Sequence, residues 1–192
     1  MPLLDFRIIQ RRAALLRQRA GLADAGPPYH THDLFAAVPD LSVAGAELPR
    51  GVLEMAERTP DGRRILWYAR GAPPPLQRVA LAHGLYHFMT DLAGPERAVR
   101  ECNAAMRELE AAGKLLANPI ERACDLFAGE LLVPFAVLDQ AAPLTLFPEE
   151  PSAQARWADQ VDELASLFNV PAPFMRWRLW DLSLLRRSNF YI

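Results

Sequence analysis

The chain has 192 residues, 51% of them hydrophobic, and a formal net charge of −2. That suits one domain, or one domain with a small appendage, and argues against a broad nucleic-acid-binding surface. No apolar run reaches the roughly 18 residues a membrane span requires. Asp5 and Arg7 interrupt MPLLDFRIIQRR too early for a signal-peptide core, so neither membrane nor export is expected. The two cysteines, Cys102 and Cys124, follow no framework pattern, which fits a reducing cytoplasm rather than a disulfide scaffold.

Residues 5–20 read as an amphipathic helix. Phe6, Ile9, Ala13, Leu16 and Ala20 keep helical spacing, arginines cover the other side, and Gly21 can close it. After a Gly/Pro turn at 26–28, Thr31 is the expected N-cap of a short helix through Ala37. His30 and His32 flank it, alternate in direction and read as surface or capping residues. Residues 41–69 change character: LSVAGAEL, GVLEMAER and RRILWYAR read as strands of a small antiparallel sheet, with a Pro60-Asp61-Gly62 turn before the last. RRILWYA is the strand expected to be buried. No glycine-rich phosphate loop follows any strand, so a nucleotide-binding fold is not supported.

Prolines 73–75 lead into a helix over 75–93, PLQRVALAHGLYHFMTDLA. His83 and His87 lie four residues apart on it. They project from one face about 6 Å apart along the axis, a spacing at which two imidazoles can share one zinc ion. The glutamate that follows the first histidine in the common zinc-protease helix, and serves as general base, is Gly84 here. Residues 96–112 are expected to form a charged helix closed by Gly113. A further helix begins with Asn118 as N-cap and Pro119 at N1, carries Glu121 and Asp125 on one face and Glu130 on the opposite one, and stops at Pro134. Glu121 lies three residues after Asn118, so it suits either a capping box or a metal ligand from a second element. Cys124 reads as a buried thiol near that site. A short helix, a Pro-rich connection (Pro143, Pro148, Pro151) and two aromatic-rich helices broken at Asn169-Val170-Pro171 complete the chain.

The run RRILWYARGAPPPLQRVALAHGLYHFMTDLA, followed by IERACDLFAGELLVP, resembles the ImmA/IrrE family of metallopeptidases. Arg78, Leu81, Ala82, His83, Leu85 and His87 match its first block. Glu121, Asp125, Phe127, Ala128, Leu131, Leu132 and Pro134 match its second. FNVPAPFMRWRLWDLSLL is similar to its C-terminal ending, so the resemblance spans roughly residues 5–186.

The resemblance implies His83, His87 and Glu121 as ligands of zinc, or of manganese, with Asp125 accepting a proton from a ligand imidazole. It implies no catalytic base, because the family's glutamate is Gly84. Tyr86 replaces the family's glycine and is a candidate oxyanion donor; a phenol with a reference pKa of about 10 is a poor base at neutral pH. Glu54 and Asp91 are carboxylates that could fold in as substitutes, although Asp91 lies about 12 Å along the helix from His83, too far to join the same ion.

The expected fold is α+β, a small antiparallel sheet packed on a zincin-like helix pair, with residues 1–145 as the metallopeptidase-type domain and 146–192 as a C-terminal helical extension. The expected function is that of a degenerate or weakly active member that binds metal and a repressor-type protein partner in the cytoplasm. The family's setting is stress or mobile-element regulation. The alternative is an active zinc endopeptidase that cleaves a helix-turn-helix repressor with a substitute base. A metal-free interaction module is the third option.

Overall fold

The computed structural model describes residues 6–90, 98–102, 119–141 and 151–187. Helix α1 (Phe6–Arg19) buries Phe6, Ile9, Ala13 and Leu16, the stripe its periodicity predicts. Gly21 adopts φ 70° beyond its end. There the Leu22 N–H donates to the Arg17 carbonyl at 2.8 Å and the Gly21 N–H to that of Gln18 at 3.0 Å, a Schellman closure that favours glycine. Helix α2 (Thr31–Ala36) starts one residue earlier than expected, with His30 rather than Thr31 in the cap position. His30 and His32 are both exposed.

The fold is α+β, as expected. Strands β1 (Leu41–Ala46), β2 (Glu54–Arg58), β3 (Arg64–Ala69) and β4 (Ala98–Cys102) form one sheet in the order β1-β3-β2-β4. Antiparallel pairing holds for β2 with β3 and with β4, but β1 runs parallel to β3, so the sheet is mixed. The β2–β3 hairpin turns at Thr59–Gly62, where Gly62 takes φ 87° and the Thr59 N–H donates to the Arg63 carbonyl. That hairpin leaves the far side of β3 for β1. Gly45 faces Tyr68 across this pair, and the tyrosine ring comes within 3.0 Å of where a Cβ on residue 45 would stand. Period-2 alternation carries no information on strand direction, so this pairing is invisible to pattern reading.

Two further expectations are corrected. Residues 98–102 form strand β4 instead of part of a helix over 96–112, because the open edge of β2 offers a ladder that outweighs local helix propensity. Strand β2 is more buried than β3: β2 buries Glu54, Ala56 and Glu57, whereas β3 fully buries only Leu66. Gly113, the Asn118 cap and the prolines at 143 and 148 lie outside the described residues, as does Asp91.

Helix α3 (Pro74–Thr90) is buried on every side from Val79 to Phe88, so it is a central helix and not a surface one. It packs on β2 and β3 through one face and on α4 (Pro119–Leu132) through another, while α1 covers α4. Arg78 anchors its first turns: Nη1 donates to the Tyr29 carbonyl at 2.6 Å and Nη2 to that of Phe168 at 3.5 Å. A short α5 (Phe135–Ala141) follows, then α6 (Pro151–Phe168) and α7 (Ala172–Arg187). The break between the last two is where it is expected. Asn169 adopts φ 51°, and the Val170 N–H closes on the Ala165 carbonyl at 3.0 Å. Arg178 of α7 is fully buried; it pairs with the Glu130 carboxylate and donates to the Val133 carbonyl at 3.2 Å, which ties α7 to the end of α4.

Candidate metal centre

The site lies where α3, α4 and the start of β2 meet. Position 83 of α3 faces α4 because His83 and His87 share one helical face, and α4 returns Glu121 and Asp125 one turn apart on its own inner face. The rings of His83 and His87 lie with centroids 5.1 Å apart. His83 Nε2 is 3.1 Å from Glu121 Oε2, and its Nδ1 is 2.8 Å from Asp125 Oδ1. His87 Nε2 is 3.8 Å from Glu121 Oε1, and its Nδ1 is 3.6 Å from Cys124 Sγ. Each imidazole therefore turns one nitrogen toward Glu121 and the other toward a further side chain of α4. That is the pattern of a ligand imidazole whose tautomer and orientation are held from behind.

The donor set fits a divalent ion such as zinc, which accepts imidazole nitrogen, carboxylate oxygen and thiolate sulfur. Donor atoms of His83, His87 and Cys124 also lie mutually within 4.8 Å. Cys124, however, meets His87 at Nδ1, on the opposite edge of the ring from Glu121. The Glu121 arrangement uses the same nitrogen, Nε2, on both rings and leaves Cys124 behind His87 as Asp125 stands behind His83. Cys124 is a buried thiol in no disulfide, as expected.

Burial pushes the Arg122 guanidinium below its ordinary pKa, with the nearby Asp125 carboxylate opposing the shift. Arg122 also pairs with Asp181 of α7. Tyr86 is buried; its ring stacks on Phe127 at 4.6 Å and its hydroxyl accepts a hydrogen bond from Arg12 Nη1 at 3.1 Å. Burial raises its pKa.

Gly84 is packed tightly. A Cβ there would stand 2.6 Å from Leu66 Cδ1 and 3.2 Å from Glu54 Cγ. Glu54 is itself fully buried, and its Oε1 lies 3.7 Å from His83 Nε2. Glu54, one of the two carboxylates the sequence offers as substitutes, is thus brought to the site; Asp91 lies outside the described residues. A signal for it exists in the strand: Glu54 shares the inward phase of β2 with Ala56, and an acid at an inward position is out of place unless it meets a partner there.

A helix carrying two imidazoles, backed by a small sheet and faced by a carboxylate helix, defines a metallopeptidase-type fold of the zincin kind. The sequence of residues 50–179 matches the IrrE N-terminal-like domain of the M78 peptidases, and the chain belongs to that family. No curated protein matches the chain at a significant level. No described helix is long and apolar enough to cross a membrane.

Proposed function

We propose that this protein is a degenerate M78 member that binds a divalent metal, zinc or manganese, through His83, His87 and Glu121, and hydrolyses peptides weakly or not at all. The observation that carries the reading is the convergence of both imidazole Nε2 atoms on the Glu121 carboxylate, at 3.1 and 3.8 Å. Asp125 holds His83 in the tautomer that leaves Nε2 free to bind, since its carboxylate accepts from Nδ1. A bound zinc would supply Lewis acidity, polarising a carbonyl or acidifying water. Residue 84, where the family carries its proton acceptor, is glycine and contributes no carboxylate. General-base catalysis is worth on the order of 10²–10⁴-fold, so its loss leaves a binder rather than an efficient hydrolase.

The partner in this proposal is a repressor-type, helix-turn-helix protein in the cytoplasm, by resemblance to the family. One observation favours the alternative of an active endopeptidase that cleaves such a repressor: Glu54 brings a carboxylate to 3.7 Å from His83.

The test is metal analysis of protein purified without a histidine tag, joined to incubation with a helix-turn-helix repressor encoded beside it. About one zinc per chain, lost in His83→Ala, with repressor bound but uncut, is the expected result. Absence of metal from the parent protein under zinc-replete conditions would reject the metal site.

A further inference from the structure

Glu54 opens strand β2 with its side chain fully buried. A carboxylate is retained in such a place only where it meets a cation or several donors. Its Oε1 lies 3.7 Å from His83 Nε2, the same nitrogen that faces Glu121. Two donors bonded to one zinc at about 2.0–2.2 Å stand about 3.4 Å apart in a regular tetrahedron, and cannot exceed about 4.4 Å. His83 Nε2 stands 3.1 Å from Glu121 Oε2 and 3.7 Å from Glu54 Oε1, and His87 Nε2 3.8 Å from Glu121 Oε1, all below that limit. A carboxylate acting as a base through a metal-bound water stands a further hydrogen bond out, about 2.6–3.2 Å beyond that water.

We infer that Glu54 is the fourth protein ligand of the metal centre, delivered from β2 into the space that Gly84 leaves open; this rests on the ligand set proposed above. Zinc sites with three protein ligands keep a position for water and substrate, whereas sites with four are closed and structural. The burial agrees with the second kind: the side chains of Glu54, His83 and His87 are fully buried and that of Glu121 is only 5% exposed. With glycine at 84, Glu54 packs against α3 and reaches His83 from the sheet, so four ligands would make the centre a clamp that joins α3, α4 and β2.

The experiment uses the full chain, stripped of metal with a chelator and reloaded with Co²⁺ or Zn²⁺. The Co²⁺ absorption of the parent protein is expected to show the intense visible bands of a four-coordinate ion, unchanged by excess azide. Glu54→Gln is expected to weaken Zn²⁺ binding by at least tenfold and to alter the Co²⁺ spectrum, and Glu54→His to restore part of the affinity. Azide-sensitive bands in the parent protein would show an open position and overturn the inference, whether or not any variant folds. So would a folded Glu54→Gln variant with the parent's affinity and spectrum. Failure of the ligand set itself would read differently: the parent would bind no metal, or His83→Ala would bind it as tightly as the parent.

Discussion

Restoring the missing glutamate on α3 is the obvious way to awaken hydrolysis, and the packing around residue 84 predicts that Gly84→Glu alone fails. The new Cβ would stand 2.6 Å from Leu66 Cδ1, and Leu66 is a fully buried core residue opposite Ala56 in the sheet. Overpacking of this kind costs about 1–3 kcal/mol. Better helix propensity than glycine returns about 0.5 kcal/mol, while a second carboxylate crowded against Glu54 adds like-charge repulsion. At roughly 2–4 °C per kcal/mol for a chain of this size, the melting temperature is expected to fall by about 2–12 °C, with no cleavage gained. Adding Glu54→Ala should recover part of that loss, because the tight approach to Glu54 Cγ at 3.2 Å disappears and the second carboxylate with it. The recovery is a coupling term of about 0.5–3 kcal/mol. Thermal or urea unfolding of the two single variants and the double variant closes the cycle. Additive effects, or a Gly84→Glu protein as stable as its parent, would refute the argument that Glu54 fills this space.

Three other outcomes follow from the geometry. Asp125→Asn keeps the shape of the side chain that holds His83 Nδ1 but removes its charge, so zinc affinity measured by competition with a chromophoric chelator should drop about 10–100-fold. Glu130→Ala strands the fully buried Arg178 guanidinium and should cost about 3–5 kcal/mol in urea unfolding, whereas Glu130→Leu paired with Arg178→Met should cost much less; equal losses would show that the ion pair is not the cause. Tyr29 is buried, and burial raises its pKa above the ordinary value of 10.0. The folded state therefore holds the phenolic proton more tightly than the unfolded one. Its contribution is complete below about pH 10 and is lost as pH rises from there through the folded pKa, so Tyr29→Phe should flatten that alkaline decline in the unfolding free energy.

Much of the helical framework was legible because its signals are local. The stripe of α1, the closures at Gly21 and Asn169, and the His83/His87 pair all depend on residues within a turn or two of each other. The sheet was legible as strands but not as a topology. Nothing in LSVAGA says that it runs alongside RILWYA in the same direction, because the pairing is decided by which edge the β2–β3 hairpin leaves free. Residues 98–102 misled for the same reason. AVREC has ordinary helical composition, and only the unpaired edge of a strand some forty residues earlier makes it extended. Glu130 was placed correctly on the face opposite Glu121, yet its partner Arg178 comes from α7 and could not be read from spacing.

The candidate centre divides along the same line. His83, His87, Glu121 and Asp125 lie together because two helices each present their side chains at intervals of four and two such faces pack; spacing alone left Glu121 open between a cap and a ligand, and the family resemblance favoured the ligand. Glu54 is different, since a strand joins this site only by tertiary packing. Its side chain and the glycine at 84 make sense only as a pair: a residue with a Cβ at 84 would collide with Glu54 and Leu66, and without Glu54 the bare helix backbone would face a cavity beside His83. Read alone, Gly84 is the absence of the family's glutamate. Packed against β2, it is the opening through which the Glu54 carboxylate comes within 3.7 Å of His83, so residue 84 and the strand opposite it are legible only together.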